Sequence, residues 1–195
     1  MRQAKMSRKT QETEITVALT VEGSGRANVS TGIGFLDHML TLLARHAHLD
    51  LEINATGDLQ VDGHHTTEDV GIVLGQVIAR ALGDKRGIRR YGHAVVPMDE
   101  ALLSSAIDLS GRPFLVFNAS FTSGQTGDFE TQLTEEFFRA VAFNAGMTLH
   151  LTCHYGQNDH HKIEGLFKAF ARSLADAVAI DPARTGEILS TKGIL

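Results

Sequence analysis

Apolar residues in four segments of this chain recur three and four positions apart, which is the spacing of an amphipathic helix. The segments run through residues 36–43, 70–78, 133–141 and 166–174. In each of them one helical face carries leucine, valine, isoleucine, methionine or phenylalanine, with other residues between. The pattern therefore predicts four helices, two in each half of the chain.

Shorter segments alternate apolar and polar residues, as half-buried strands do. Two of them, at residues 49–53 and 148–152, follow the first and the third predicted helix. Further strand-like segments open each half and cover residues 14–21, 26–31, 93–96, 102–109 and 114–117. Glycine-containing turns separate several of these segments. Each half therefore has the order strands, helix, strand, helix.

This repeated order predicts an internally duplicated α+β fold, in which helices pack on one face of each sheet. We place the first half at residues 1–92 and the second half, with a C-terminal tail, at residues 93–195. No Ser- or Pro-rich linker lies near the end of the second helix. We therefore expect the two halves to share one core.

The motif His-His-x-x-Glu occurs twice, at residues 64–68 and 160–164, about half a chain length apart. On a helix, the first histidine and the glutamate are four positions apart and share a face, whereas the second histidine points elsewhere. Each helix start thus offers one imidazole and one carboxylate to one centre and a second imidazole to another. Aligning the halves also puts His38 opposite Glu136, and both are further candidate ligands.

The duplicated motif predicts two related metal sites. A single copy would more often be a surface feature of a helix start, so the half-chain spacing of two copies is what favours metal. Imidazole is the commonest transition-metal ligand among side chains. Mixed imidazole and carboxylate sets suit Mn, Fe or Zn, and cysteine ligands are absent from both motifs.

Composition excludes several classes of protein. The formal net charge of −5 gives no support for nucleic-acid binding. No apolar run is long enough to span a membrane, and the N-terminus lacks a signal segment. The single cysteine, Cys153, excludes an internal disulfide and suits a reducing compartment. We therefore expect a cytoplasmic protein without nucleic-acid or membrane partners.

Basic residues near turns and near the C-terminus suggest a pocket for an oxyanion such as phosphate, because arginine binds phosphate through a planar donor fork. The candidates are Arg89, Arg90, Arg112, Lys168 and Lys192, with Ser190 near the last. Spacing alone does not bring them into one pocket. A solvated surface charge is the simpler alternative for each.

Six strings of residues carry a resemblance to a known family: GFLDHML at 34–40, DGHHTTED at 62–69, DLSGRP at 108–113, NDHH at 158–161, FKAFAR at 167–172 and STKG at 190–193. Together they resemble the imidazoleglycerol-phosphate dehydratase family of histidine biosynthesis. The resemblance runs from about residue 8 to the C-terminus, and the order of the strings matches too. The chain has no room for the phosphatase domain that some bacteria fuse to this enzyme, so the stand-alone form is expected.

The resemblance implies a fold, an assembly and a cofactor. Family members have two similar halves, each with a four-stranded sheet and two helices, and the helices are sandwiched between the sheets. They assemble through trimers into particles of 24 subunits. Each active site forms between subunits and holds two Mn²⁺ ions.

The resemblance also implies roles for individual residues. The metal ligands would be His38, His64, His65, Glu68, His160, His161 and Glu164. We keep Glu136 as a further ligand, although the family often has histidine there. The substrate phosphate would bind Arg90, Arg112, Lys168, Ser190 and Lys192. Glu12 and His46 would line the substrate, and with Glu68 and Glu164 they are the candidate catalytic residues.

The implied reaction converts D-erythro-imidazole glycerol phosphate to imidazole acetol phosphate with loss of water. The hydrogen that leaves sits on a carbon without a neighbouring carbonyl, so ordinary enolate stabilisation is not available and the imidazole ring can serve instead. Metal on a ring nitrogen would favour imidazolate, which can expel the hydroxyl and give a diazafulvene-like intermediate. A base would then remove the neighbouring proton, and the enol product would become the ketone. Two other classes stay open at this stage: a metal-dependent hydrolase, and a metal-assembled shell without catalysis.

Overall fold

The computed structural model describes residues 1–184, 186–193 and 195, and its regular elements repeat in the two halves of the chain. The first half contains β1 (Gln3–Lys9), β2 (Thr13–Thr20), β3 (Ala27–Ser30), α1 (Gly34–Ala47), β4 (Asp50–Gly57) and α2 (His64–Leu82). The second half contains β5 (Tyr91–Met98), β6 (Ala101–Asp108), β7 (Phe114–Asn118), β8 (Gln125–Thr126), β9 (Phe129–Glu130), α3 (Leu133–Ala145), β10 (Thr148–Tyr155) and α4 (Asp159–Val178).

The two four-stranded sheets have the same topology. Their strand orders are β1-β2-β4-β3 and β5-β6-β10-β7. In each sheet the last strand of this order, β3 or β7, pairs in parallel with its neighbour. The other pairs are antiparallel. The predicted α+β duplication and the four predicted helices are confirmed.

Two features were not predicted from the hydrophobic pattern. The first is β1, which pairs with β2 along its whole length although its side chains alternate only between exposed and half-buried positions. A strand without fully buried side chains leaves little hydrophobic signal in the sequence. The second is the short β8–β9 hairpin, which precedes α3 and has no counterpart before α1.

The helices form a layer in which each half contacts the other. Helix α1 packs on α4, and α2 packs on α3, while α2 also covers the first sheet and α4 the second. Apolar residues of both halves form one buried cluster. Its centre is aromatic: the ring centroids of Phe138 and Phe167 lie 4.7 Å apart, and those of Phe138 and Phe170 lie 5.3 Å apart. Burying each such side chain stabilises the fold by roughly 1.5–3 kcal/mol.

Among the described helices, none is both long enough and apolar enough to cross a lipid bilayer.

Glycines set how closely the layers approach. A Cβ atom at Gly92 in β5 would lie 1.9 Å from the carbonyl oxygen of Ser173 in α4. A Cβ atom at Gly75 in α2 would lie 2.6 Å from the carbonyl oxygen of Val141 in α3. Backbone atoms cannot move aside as a flexible side chain can. Gly92 therefore determines the seating of α4, the helix with the second His-His-x-x-Glu motif, on its sheet.

Replacing Gly92 with alanine should destabilise the protein by about 1–3 kcal/mol, because the added methyl overpacks the contact between β5 and α4. The measurement is the urea unfolding midpoint at fixed protein concentration. Gly124→Ala is the matched control, since a Cβ there meets no atom within 4 Å. Equal midpoints for Gly92→Ala and the unmodified protein would contradict this account of the packing.

Candidate metal centre

One group of metal-binding side chains forms where α1 crosses α4. The Nε2 atom of His160 lies 3.1 Å from Oε2 of Glu164, as expected for residues one turn apart. The Nε2 atom of His38, from the other half of the chain, lies 3.5 Å from the same oxygen. One donor atom from each of the three residues lies within 4.8 Å of the others. The packing of the two halves thus creates a set of two imidazoles and one carboxylate.

Glu164 forms the buried floor of this group. Its side chain is 9% exposed, whereas those of His38 and His160 are 50% and 42% exposed. Its second oxygen, Oε1, lies 2.6 Å from Nζ of Lys168. Burial raises the pKa of the Glu164 carboxyl, but hydrogen bonds from Lys168 and His160 outweigh it and the pKa lies below its ordinary value. Glu164 is therefore an anion at neutral pH, as a metal ligand must be.

A second group gathers around His65 at the start of α2. Its Nδ1 atom lies 3.0 Å from a carboxylate oxygen of Asp58 and 3.8 Å from one of Glu12. The hydrogen bond with Asp58 raises the pKa of His65. A carboxylate on one ring nitrogen orients the imidazole and leaves the other nitrogen for a metal. The group therefore fits a ligand histidine with a supporting acid.

His161 has an equivalent arrangement in the second half. Its Nδ1 atom lies 2.7 Å from Oε2 of Glu100, and its Nε2 atom lies 3.7 Å from Oδ2 of Asp99. Backbone N–H groups of Asn158 and Gln157 also donate to Glu100. The Asn158 N–H and then the His161 ring hold the pKa of Glu100 at about 2.

Three of these acids were not predicted from the sequence: Asp58, Asp99 and Glu100. Two of them could have been found from the internal duplication of the chain. Asp99 and Glu100 lie in the β5–β6 turn, the counterpart of the β1–β2 turn that carries Glu12. Comparing the turns of the two halves would have found them. Asp58 follows β4 and has no such counterpart signal.

Three candidate ligands are not brought together within one chain. Glu136 lies on α3, and the helix packed against α3 carries His64 and Glu68. In the part of the chain that the structure describes, these three donors do not form a close group like that around His160. The carboxylate of Glu136 lies 3.7 Å from the guanidinium of Arg139 instead.

The candidate phosphate ligands fall into two sets. Arg90 and Arg112 meet at Asp108, whose carboxylate pairs with Arg90 at 2.7 Å and with Arg112 at 3.8 Å. The C-terminal tail joins this set, because Arg90 also donates to the carbonyl oxygen of Leu189 at 2.7 Å. The hydrogen bond with Asp108 raises the pKa of Arg90.

Other candidates lie around these two places. Ser190 follows Leu189, and its hydroxyl accepts a hydrogen bond from the exposed Lys192 backbone N–H. Lys168 belongs instead to the metal-binding group, where it contacts Glu164. The backbone N–H of Arg90 donates to the carbonyl oxygen of Ala177, which lies nine residues after Lys168 on α4. The Arg90 set and Lys168 are therefore separated by roughly 14 Å along the helix axis.

His46 lies near the C-terminus of α1, beside a cavity of about 260 Å³ that Arg172 and His93 also line. Burial lowers the pKa of His46, and the positive charges of Lys168 and Arg172 lower it further. These charges would also attract an anionic group to this part of the surface.

Sequence comparisons match this chain to one enzyme family. A family profile described as imidazoleglycerol-phosphate dehydratase matches residues 31–174. The imidazoleglycerol-phosphate dehydratase of Azorhizobium caulinodans is 61% identical over 195 residues, which is 100% of this chain and 99% of that protein. The protein of that name from Acetivibrio thermocellus is 58% identical over 194 residues, again 100% of this chain and 99% of the relative.

Solved structures agree with the sequence comparisons. The crystal structure of imidazoleglycerol-phosphate dehydratase from Staphylococcus aureus has a TM-score of 0.83 and 43% identity, covering 91% of this chain and 98% of that one. The enzyme from Pyrococcus furiosus has a TM-score of 0.84 and 34% identity, covering 97% of this chain and 100% of that one.

The duplicated α+β fold and the mixed imidazole–carboxylate groups fit an enzyme with a metal cofactor. The chain belongs to the imidazoleglycerol-phosphate dehydratase family. It is a hydro-lyase, a dehydratase of histidine biosynthesis.

The lowered pKa of His46 predicts a specific pH dependence of stability. Because the folded-state pKa lies below 6.5, the unfolded chain binds the proton more tightly, and stability falls as the pH drops through this range. His46→Gln should remove this contribution. Unfolding midpoints at pH 7.5, 6.5 and 5.5 should therefore fall less steeply for the variant. His150→Gln, at an exposed position on β10, is the control. Parallel curves for His46→Gln and the unmodified protein would contradict the prediction.

Proposed function

We propose that this chain converts D-erythro-imidazole glycerol phosphate to imidazole acetol phosphate, using Mn²⁺ held by His38, His160 and Glu164. The observation that carries the proposal is the convergence of these three donors from helices of opposite halves. Two borderline imidazoles with one hard carboxylate suit Mn²⁺. The names of the relatives supply the substrate.

We further propose that each active site holds two Mn²⁺ ions and is completed by another copy of the chain. Mn²⁺ favours six ligands, and the group around Glu164 supplies three. The remaining candidate ligands are His64, His65, Glu68, Glu136 and His161. Half of each imidazole in the first group faces solvent, which leaves room for donors from a neighbour. We propose an assembly of 24 subunits built from trimers, as the family resemblance implies.

The side chains around the metal would divide the chemical work. A bound metal would supply Lewis-acid polarisation of the substrate imidazole. Lys168 and His160 keep Glu164 ionised. Asp58 holds the ring of His65 at hydrogen-bond distance, whereas Glu12 is 3.8 Å away and less constrained. Glu12 is therefore the carboxylate that we assign to proton transfer at the reacting carbon.

The substrate phosphate would bind the two basic sets from different copies of the chain, because within one chain the sets are roughly 14 Å apart along α4. Arg112 and the tail residues Ser190 and Lys192 lie beside Arg90, while Lys168 lies beside the metal-binding group. Binding a remote phosphate orients the reacting carbons, which can supply several kcal/mol of the catalytic effect. We place the enzyme in the cytoplasm, the compartment that suits its one free cysteine, Cys153.

Turnover with and without metal is the direct test. Protein stripped by a chelator should not convert imidazole glycerol phosphate, and it should sediment as particles smaller than the 24-subunit assembly. Adding Mn²⁺ should restore both properties, because metal completes sites shared between subunits. A stripped protein that remains full-sized and fully active would contradict the proposal. Hydrolysis of the phosphoester without dehydration would indicate a different enzyme class.

Replacing Glu164 or Glu68 with glutamine should lower turnover by at least about 100-fold, the upper end of the losses seen when residues supporting metal ligands are removed. The amide keeps the size of the side chain but removes the anionic donor. The measurements are kcat and bound metal per subunit. Glu22→Gln is the control, because Glu22 pairs with Arg2 at the chain surface. Normal kinetics with full metal content would assign the substituted carboxylate a role outside the site.

A further inference from the structure

One segment of the second half, residues 120–131, contacts the first turns of both helices that carry the metal-binding group. It contains the β8–β9 hairpin, which the first half lacks. One end of the segment binds the start of α4, and the hairpin turn binds the start of α1. The segment therefore spans the junction at which the donors from the two halves converge.

Asp128, in the hairpin turn, caps α1. Its Oδ2 atom accepts a hydrogen bond from the Gly34 N–H at 2.5 Å, and its Oδ1 atom accepts one from the Phe35 N–H at 2.9 Å. The residue at the N-cap position of α1, Ile33, offers no side-chain acceptor. A carboxylate here also interacts favourably with the positive end of the helix dipole. Asp128 thus does for α1 what a local Asp or Ser does for most helices.

The geometry of the hairpin orients the Asp128 carboxylate. Gly127 has φ +61°, and Thr126 pairs with Phe129, so the turn has the two-residue form with glycine first that suits strand twist. Phe129 is buried and stacks on Phe35, with ring centroids 5.6 Å apart. Phe35 in turn packs edge-on against the ring of His160 at 5.1 Å. The turn is therefore connected to the metal-binding group through two aromatic rings, those of Phe129 and Phe35.

The other end of the segment is bound to α4 by a buried ion pair. Asp159, the first residue of α4, accepts hydrogen bonds from the N–H groups of Thr122 and Ser123 at 2.8 and 2.6 Å. Its second oxygen pairs with Lys162, which also donates to the carbonyl oxygen of Ser120 at 2.8 Å. Breaking a buried pair is costly. This end of the segment is thus firmly attached next to His160.

We propose that Asp128 is a positioning residue, which fixes the first turn of α1 relative to that of α4 and so holds His38 within reach of His160 and Glu164. His38 lies one turn beyond Gly34, so a shift of the capped turn moves its imidazole. Asp128 itself makes its hydrogen bonds to backbone N–H groups, not to the donors. The inference rests on the proposed metal-dependent function.

Removing this cap should weaken metal binding more than folding. In Asp128→Ala, the Mn²⁺ affinity of the stripped protein should fall about 10- to 100-fold, as it does when residues that orient metal ligands are lost. The value of kcat at limiting metal should fall with it, and KM for the substrate should change little. Asp128→Asn keeps one acceptor oxygen, so its Mn²⁺ affinity should lie between those of the unmodified protein and Asp128→Ala.

The experiment is a Mn²⁺ titration of stripped protein by calorimetry, with the electron paramagnetic resonance spectrum of the bound ion as a second readout. The matched control is Asp50→Ala. Asp50 also accepts hydrogen bonds from two backbone N–H groups, those of Ser24 and Arg26, but at the start of β4. The unfolding midpoint of every variant is measured alongside, so that general loss of stability is separated from loss of positioning.

Weaker Mn²⁺ binding and an altered spectrum in the Asp128 variants, with both unchanged in Asp50→Ala, would support the proposal. Unchanged affinity and spectrum in Asp128→Ala, or an equal loss in Asp50→Ala, would overturn it. If Asp128→Ala does not fold, Asp128→Asn decides by the same criteria. The titration of the unmodified protein tests the proposed function separately. If that protein does not bind Mn²⁺, the proposed function itself is overturned.

Discussion

The packing of α1 from the first half on α4 from the second is the contact on which the site depends. It puts His38 within 3.5 Å of a carboxylate oxygen that is also 3.1 Å from His160. Neither half contains this group alone. The aromatic cluster around Phe138 and Phe167 lies in the same buried core that joins the halves. Burial of apolar surface therefore stabilises the fold and assembles the donors at the same time.

The duplication is close in topology but unequal at the helix starts. α1 is capped by Asp128 from a hairpin that only the second half possesses, whereas α3 begins after Gln132 without a side-chain cap. The candidate donors differ too, because aligning the two halves puts Glu136 on α3 opposite His38 on α1. One crossing of helices brings three donors together within a chain, and in the described residues the other does not. The two helix crossings of this duplicated fold are therefore not equivalent.

The contacts around the converged donors fit a metal cofactor. Glu164 uses one oxygen for Lys168 and turns the other to two imidazoles. The second histidines of both motifs have acids on Nδ1, Asp58 for His65 and Glu100 for His161. Such acids fix the ring and raise its basicity as a ligand. In the second motif the first histidine thus contacts the motif's own glutamate, and in both motifs the second histidine contacts an acid from elsewhere in the chain.

Local sequence determined the four helices, the repeated order of elements and the motifs at the starts of α2 and α4, because helical spacing and strand alternation depend on neighbours along the chain. The resemblance to a family added the reaction, the candidates Glu12 and His46, and the roles of the individual residues. Only the tertiary structure decided that His38 meets His160 and Glu164, that Asp58 and Glu100 support the second histidines, and that Asp128 caps α1. The sequence also did not reveal β1, whose half-exposed residues carry little hydrophobic pattern. The contacts of His38, Glu100 and Asp128 join residues far apart in the chain, so long-range packing rather than local propensity determines them.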